Sequence, residues 1–358
     1  MSPRATTARR AKPVSSQFGI LERLFATAAE RQTAAAVEAG LEQVEAGLKA
    51  EVQFADSIAD VFSRYLFDAG GKRVRPLLTL LTAQFGDGIT PAVLKAAEAV
   101  EITHLASLYH DDVMDEAEQR RGVPSAQTVW GNSVAILTGD LLFARASKVI
   151  ATIDGGSAVA QTETFERLVL GQLHETVGPG PGEDPVEHYL QVLTDKTGAL
   201  IAAAAEWGIT FSGAPVEYRE PVRRFGECIG VAFQLVDDVI DLSPEAATTG
   251  KVPGTDLAQG VPTLPLLYLR RRAQHDPEAA ALLLEIDSLV RVAEVESIAS
   301  PALERAVTDL REHEVTAETT REANRWAARA VAALDALPDV PARRALIRFA
   351  DVLVERSN

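Results

Sequence analysis

The chain has 358 residues, 47% of them hydrophobic, and Lys+Arg 35 against Asp+Glu 51 give a net charge of −16. That length and apolar content can bury a large core, as one big helical domain or two ordinary ones, while the acidic balance argues against nucleic acid, whose phosphate backbone demands a basic face. The one cysteine, Cys228, cannot form an intrachain disulfide and reads as a buried structural thiol, which points to a reducing cytoplasm.

Met1 to Val14 carries Arg4, Arg9, Arg10 and Lys12 with no apolar stretch behind them, so residues 1–17 read as a disordered basic tail and not as a secretory signal. Weak attraction of this tail to an anionic membrane surface is its second reading. Residues 18–358 are expected to form a single all-α domain, because helical periodicity and caps recur without convincing strand alternation. Thr90-Pro91 reads as an N-cap with proline at the first helical position, opening a helix through Val93, Leu94, Ala97, Val100 and Leu105. Asp184-Pro185 opens another toward Lys196, after a Pro- and Gly-rich loop at 178–182. From Pro215 to Leu242 the chain predicts a long apolar helix in which Gly226 and Gly230 mark close approach of neighbouring helices. The segments from Asp276 onward are amphipathic packing helices. No run reaches the roughly 18 unbroken apolar residues of a membrane-spanning helix.

Two copies of Asp-Asp-x-x-Asp, at 111–115 and 237–241, end apolar helical runs. On a helix this spacing stacks the first and last carboxylates on one face a turn apart, with the middle one displaced by roughly 100°. Acidic runs are usually solvated helix faces. Here, however, Leu105, Ala106 and Leu108 precede the first copy, and Val231, Ala232, Phe233, Leu235 and Val236 precede the second, so each sits where a buried helix opens into a cavity. Bunched carboxylates repel one another unless a cation neutralises them, and hard oxygen ligands with room for water and phosphate suit Mg2+. Two such clusters on opposing helices would hold a metal-bound anion.

Further motifs accompany them in order: Gly70-Gly71-Lys72-Arg73-Val74-Arg75-Pro76, Arg120-Arg121-Gly122, Asp195-Lys196-Thr197-Gly198, Phe233-Gln234 before the second acidic cluster, then Gly250-Lys251 and Gly254-Thr255-Asp256-Leu257. From about Gly70 to Pro265 the chain thus resembles the trans-isoprenyl diphosphate synthases, the polyprenyl synthetase family. The resemblance implies an all-α fold, a single large helical bundle of the isoprenoid synthase type with a central active-site cavity, and usually a homodimer. It implies Mg2+-dependent condensation of isopentenyl diphosphate with an allylic diphosphate, through an allylic carbocation and release of diphosphate. A transient contact with a membrane surface would serve product release.

Carried over residue by residue, Asp111, Asp115, Asp237 and Asp241 match metal ligands, with Asp238 and Asp241 acting more through water or hydrogen bonds. Arg120, Lys196, Thr197, Gln234 and Lys251 match ligands of the allylic diphosphate, and Arg120 can grip phosphate with two prongs as lysine cannot. Lys72, Arg75, His104 and Arg121 match the metal-free site for isopentenyl diphosphate, and His104 lies seven residues before Asp111 on the same helix face. The net negative charge should repel diphosphates, so these cations and the metal must reverse the field locally. One departure stands out. Many members carry Gly-Lys before the x-Thr-Leu-Pro segment, whereas this chain has Gly260-Val261-Pro262-Thr263-Leu264-Pro265.

Ala106 and Ser107, a turn behind Asp111, are small where short-chain members carry an aromatic ring, so a long all-trans product of heptaprenyl to decaprenyl size is expected, as in quinone side chains. Phe143 is the candidate for a deeper floor of the tunnel. Geranylgeranyl or farnesyl diphosphate synthesis is the alternative, followed by a terpene cyclase, which would not need Lys72, Arg75 and Arg121, and by a non-catalytic partner subunit, which would lack complete acidic clusters.

Overall fold

The computed structural model describes residues 21–25, 27, 30–243, 253–293 and 301–355. The expected basic tail at 1–17 and Lys251 lie outside these residues. The fold is all-α: among the described residues the strand pairing is a two-residue antiparallel ladder, β1 (Gln119–Arg120) with β2 (Val123–Pro124).

The chain divides into two compact units. The first takes the chain to Thr162 with Trp207–Pro215 and Val340–Ala345. It contains α1 (Arg31–Glu51), α2 (Ser57–Asp68), α3 (Val74–Thr82), α4 (Pro91–Met114), α5 (Ala126–Trp130) and α6 (Asn132–Ala151). Thr90 caps α4 as expected: its hydroxyl accepts the Val93 amide at 3.2 Å and Pro91 follows. Helix α4 is buried on every side, with Val93, Ala97, Val100, Ile102, Leu105, Ala106 and Tyr109 all in the core, and it packs against α1, α3 and α6. A helix apolar all round needs neighbours on all sides, which makes α4 the axis of this unit. Its last turn carries the first acidic motif.

The second unit takes Glu163–Glu206, Val216–Asp339 and the chain from Leu346. Helix α7 (Gly155–Val177) ends in it, and α8 (Pro185–Leu193) starts on Asp184, whose Oδ1 accepts the amides of Val186 and Glu187 at 2.8 and 3.1 Å. A single widened π-type turn, Thr194–Gly198, joins α8 to α9 (Ala199–Phe211). The expected helix over 215–242 is α10, Arg219–Asp241, preceded by a short 3-10 turn at Val216–Tyr218; Pro221 falls in its first turn, where a missing amide breaks no helical hydrogen bond. Then follow α11 (Thr255–Ala258), α12 (Leu264–Arg272), α13 (Pro277–Ala293), α14 (Pro301–Glu312) and α15 (Glu314–Ala333), with α16 (Pro341–Val354) near the end.

In this unit α10 packs along α15 on one side and against the widened turn on the other. Its glycines sit where the sequence predicts close approach. A Cβ on Gly226 would lie 2.6 Å from Ala202 Cα, and one on Gly230 would lie 2.6 Å from Gly198 Cα. Backbone meets backbone there, which only glycine allows.

Candidate active site

In the first unit the loop before α3 and the β1–β2 hairpin gather cations around α4. Arg121 and Gly122 are the two hairpin-turn residues, with φ of 54° and 76°. Positive φ at both central positions is what a tight two-residue hairpin requires. Arg121 Nη1 donates to the carbonyls of Leu66 (2.9 Å) and Gly70. Gly71 leaves room for the crowd, since a Cβ there would lie 2.6 Å from Arg73 Nη1 and 3.1 Å from Arg121 Nη2.

Arg75 is burdened by this company. Burial pulls its guanidinium down to about 10, Glu101 opposes the shift, and Arg121 adds to it. Its Nε is buried without a hydrogen-bond partner. The imidazole of His104 is pushed well below its ordinary range, by burial first and then by Arg75, Arg121, Arg120 and Arg73. A pocket that holds arginines against one another and keeps its histidine neutral is built for an anion. Lys72 is exposed beside it.

Arg73 takes a different part. It is 5% exposed, in a left-handed backbone conformation, and it grips Glu45 with Nε (2.7 Å) and Nη2 (3.0 Å) while Nη1 reaches Glu101 at 3.2 Å. It is a structural clamp of the loop, and Glu101 so held is also the buried counter-charge facing Arg75 and Arg121.

The first acidic motif splits as helical geometry demands. Asp111 is half-buried and within electrostatic reach of Arg75, Asp115 ends the helix exposed, and Asp112 is fully buried. Asp112 Oδ1 accepts from Arg120 Nε at 2.6 Å, while its Oδ2 is buried without a partner. Burial raises its carboxyl, against the pull of Arg120. His110 Nε2 donates to the Ile136 carbonyl at 3.0 Å, and its ring fits against Gly139. Phe143 meets that ring edge-on at 5.4 Å. Ala106 is fully buried, and Ser107 bonds its hydroxyl to the His104 carbonyl at 2.9 Å.

In the second unit Lys196 and Thr197 lie half-buried on the widened turn. Lys196 Nζ contacts Glu175 Oε2 at 2.5 Å, and Gln172 donates to the same oxygen at 2.9 Å. Asp195 receives Arg167 Nε (2.6 Å) and Gln191 Nε2 (2.7 Å), and Arg167 also reaches Glu227 of α10. These bonds fix the turn and hold it to α10. Single π-type turns of this kind recur at functional sites.

The second acidic motif closes α10. Asp237 and Gln234 are half-buried. Asp238 is 7% exposed and accepts from Tyr189 Oη on both oxygens, at 2.8 and 3.0 Å, and from the Leu264 amide at 3.1 Å. Burial pushes its carboxyl up to about 7, although Tyr189 and the Leu264 amide work against it. Asp241 is also buried; its carboxylate accepts the Asp256 amide at 3.2 Å and its carbonyl the Gly254 amide at 2.7 Å. Cys228 is a buried free thiol, raised by burial, as expected of a structural cysteine.

The donors for a cation are all carboxylate oxygens, and the buried, unpartnered Oδ2 of Asp112 leaves acceptor capacity beside Asp111 and Asp115, so the residues fit a hard divalent ion. Among the described residues no three His, Cys, Asp or Glu side chains converge tightly enough to cage a metal unaided. Glu101, Glu175 and Tyr189 were missed by sequence reasoning as partners of the site, and Arg73, counted there among the local cations, proves to be a clamp on Glu45 and Glu101. A spacing signal existed for Tyr189, seven residues before Lys196, but nothing in the sequence tells which acid a buried tyrosine will meet.

The sequence pattern of the family described as Polyprenyl synthetase matches residues 56–300. A nonaprenyl diphosphate synthase of Mycobacterium tuberculosis is 45% identical over 328 residues, covering 90% of this chain and 94% of that protein. A dimethylallyltranstransferase of the same organism is 37% identical over 323 residues, covering 89% of this chain and 95% of that protein. Among solved structures, a geranylgeranyl pyrophosphate synthase from Corynebacterium glutamicum, complexed with calcium and isoprenyl diphosphate, superimposes with a TM-score of 0.78 at 38% identity, over 93% of this chain and 99% of that one.

Proposed function

The chain belongs to the polyprenyl synthetase family and is a prenyltransferase that makes polyprenyl diphosphates, and we propose that its reaction is the Mg2+-dependent head-to-tail condensation of isopentenyl diphosphate with an allylic diphosphate to a long-chain all-trans product. The observation that carries this reading is the gathering of Arg75, Arg121 and neutral His104 beside the carboxylates of α4. A chain that only ionised one diphosphate would have no use for a second, purely cationic anion site.

Asp111 and Asp115 would be the metal ligands of the first motif and Asp237 that of the second, with Asp241 acting through hydrogen bonds. Bound Mg2+ would neutralise charge developing on the departing diphosphate. Water and diphosphate oxygens would complete its coordination, as Mg2+ commonly requires. Arg120, whose Nε is held by Asp112, and Lys196, Thr197, Gln234 and Lys251 are the ligands assigned to the allylic diphosphate. Lys72, Arg75, Arg121 and His104 hold isopentenyl diphosphate. With Val261 in place of a lysine, the leaving group relies on these other cations.

The long product is supported by the identity to a nonaprenyl diphosphate synthase and by small residues at 106 and 107. Residues 18–358 act as one catalytic domain in a cytoplasmic homodimer that touches the membrane surface transiently to release product. No helix among the described residues is long and apolar enough to cross a membrane. Incubating the purified chain with isopentenyl and farnesyl diphosphates and Mg2+, then measuring diphosphate release and product length, tests the proposal. Release without elongation would favour a cyclase, and a product ending at geranylgeranyl would confine the proposal to short chains.

A further inference from the structure

The three carboxylates of the second acidic motif face different surroundings. Asp238 and Asp241, three residues apart, share one face of α10 and both point into packed structure, where they receive backbone amides from Leu264 and Asp256. Asp237 is displaced from Asp238 by about 100° around the helix and is half-buried. Asp237 and Asp238 are consecutive on α10, so whatever holds Asp238 also holds the stretch of helix that carries Asp237. Asp238 is held by the Leu264 amide and by the single O–H of Tyr189, which lies within hydrogen-bond distance of both its oxygens. Tyr189 stands on α8, the helix that runs straight into the widened turn bearing Lys196 and Thr197. One phenol thus ties the acidic end of α10 to the element that carries the lysine.

We propose that Tyr189 is a positioning residue of the prenyl transfer reaction: through Asp238 it fixes the azimuth of Asp237 relative to Lys196, so that carboxylate and ammonium address the same diphosphate. The inference rests on the reading of Asp237 as a metal ligand and Lys196 as a phosphate ligand. In this arrangement the second motif has a division of labour, Asp237 serving the ligand and Asp238 and Asp241 serving the frame. A phenol is suited to the part because its one O–H, carried on a rigid ring, can be shared between both carboxylate oxygens. Partners of this outer kind typically alter metal affinity or activity by about 10- to 100-fold when removed.

The test uses Tyr189→Phe, which keeps the ring and deletes the hydroxyl, with Asp238→Asn and the double variant. Binding of the unreactive analogue farnesyl thiolodiphosphate is measured by calorimetry with and without Mg2+, and isopentenyl diphosphate binding is measured on the same samples. Circular dichroism and thermal midpoints establish that each variant is folded. Tyr189→Phe is expected to weaken Mg2+-dependent binding of the analogue about 10-fold while leaving isopentenyl diphosphate binding unchanged, and the double variant is expected to be no worse than Asp238→Asn alone. Unchanged analogue binding, an equal fall in the binding of both ligands, or additive losses in the double variant would each overturn the proposal. Wild-type protein that itself releases no diphosphate and ignores the analogue overturns the reading of α10 on which the inference rests, an outcome recognisable before any variant is made.

Discussion

Replacing Gly230 by alanine separates the packing of α10 from its chemistry. A methyl group there would sit 2.6 Å from Gly198 Cα and 3.0 Å from Gly198 N. Carbon atoms rest at about 3.5–4.0 Å, so the two backbones must part by about 1 Å. Overpacking of this kind costs about 1–3 kcal/mol, whereas the exchange of glycine for alanine in a helix returns up to about 1 kcal/mol. The net loss of stability is then at most about 3 kcal/mol. Activity should suffer more, because Gly198 closes the turn that bears Lys196 and Thr197, and a displacement of about 1 Å at a reacting group can cost about 10²-fold in rate. Gly226→Ala is the control: it meets Ala202 Cα at the same 2.6 Å, one helical turn farther from the acidic motif. Thermal midpoints and steady-state kcat for the allylic substrate should show similar destabilisation in both variants and a much larger kinetic loss in Gly230→Ala. Normal turnover in Gly230→Ala, or an equal loss in Gly226→Ala, would refute the reasoning.

Asp111→Asn or Asp237→Asn should lower diphosphate release by roughly 10²-fold or more while leaving the circular dichroism spectrum intact, since removing a carboxylate relieves self-repulsion as it weakens metal binding; near-normal condensation by either variant contradicts the roles assigned to them. His104 titrates below its ordinary 6.5 in the folded chain, so its neutral form contributes stability above that value that is lost as pH falls through it, at up to about 1.4 kcal/mol per pH unit. Denaturant melts between pH 7.5 and 5.5 should accordingly fall more steeply for wild type than for His104→Gln, and equal slopes would show that His104 is charged in the folded state. Ala106→Phe should shorten the product to farnesyl or geranylgeranyl size by chromatography of the hydrolysed alcohols, with diphosphate release preserved; an unchanged product would end the open-tunnel argument.

Much of this site was legible because its signals are local. Caps at Thr90 and Asp184, the acidic clusters at helix ends, and the glycines at 226 and 230 each depend on spacing along one segment, and the structure places them as the spacing predicts. What stayed hidden depends on partners distant in sequence. Arg73 and Arg75 are two residues apart and chemically alike, yet one is locked to Glu45 and Glu101 while the other keeps a buried Nε without a partner. Only the left-handed backbone at Arg73 and the fold of α1 and α4 around it decide which is which. Likewise spacing shows the middle aspartates turned away from their neighbours without saying toward what, and the structure gives each a mate, Arg120 for Asp112 and Tyr189 for Asp238.

The widened turn at Thr194–Gly198 admits one residue more than a regular helix would, and so resets the phase of everything after it. Relative to an uninterrupted helix, the faces of α9 are rotated from those of α8 by about 100°. Gly198 faces Gly230 only because of that offset, and a heptad or 3.6-residue pattern drawn through the whole stretch would place the wrong residues inward. Gain or loss of a single residue between Leu193 and Ala199 would therefore act as a change of register, re-aiming the packed side chains along thirteen residues of α9 at once.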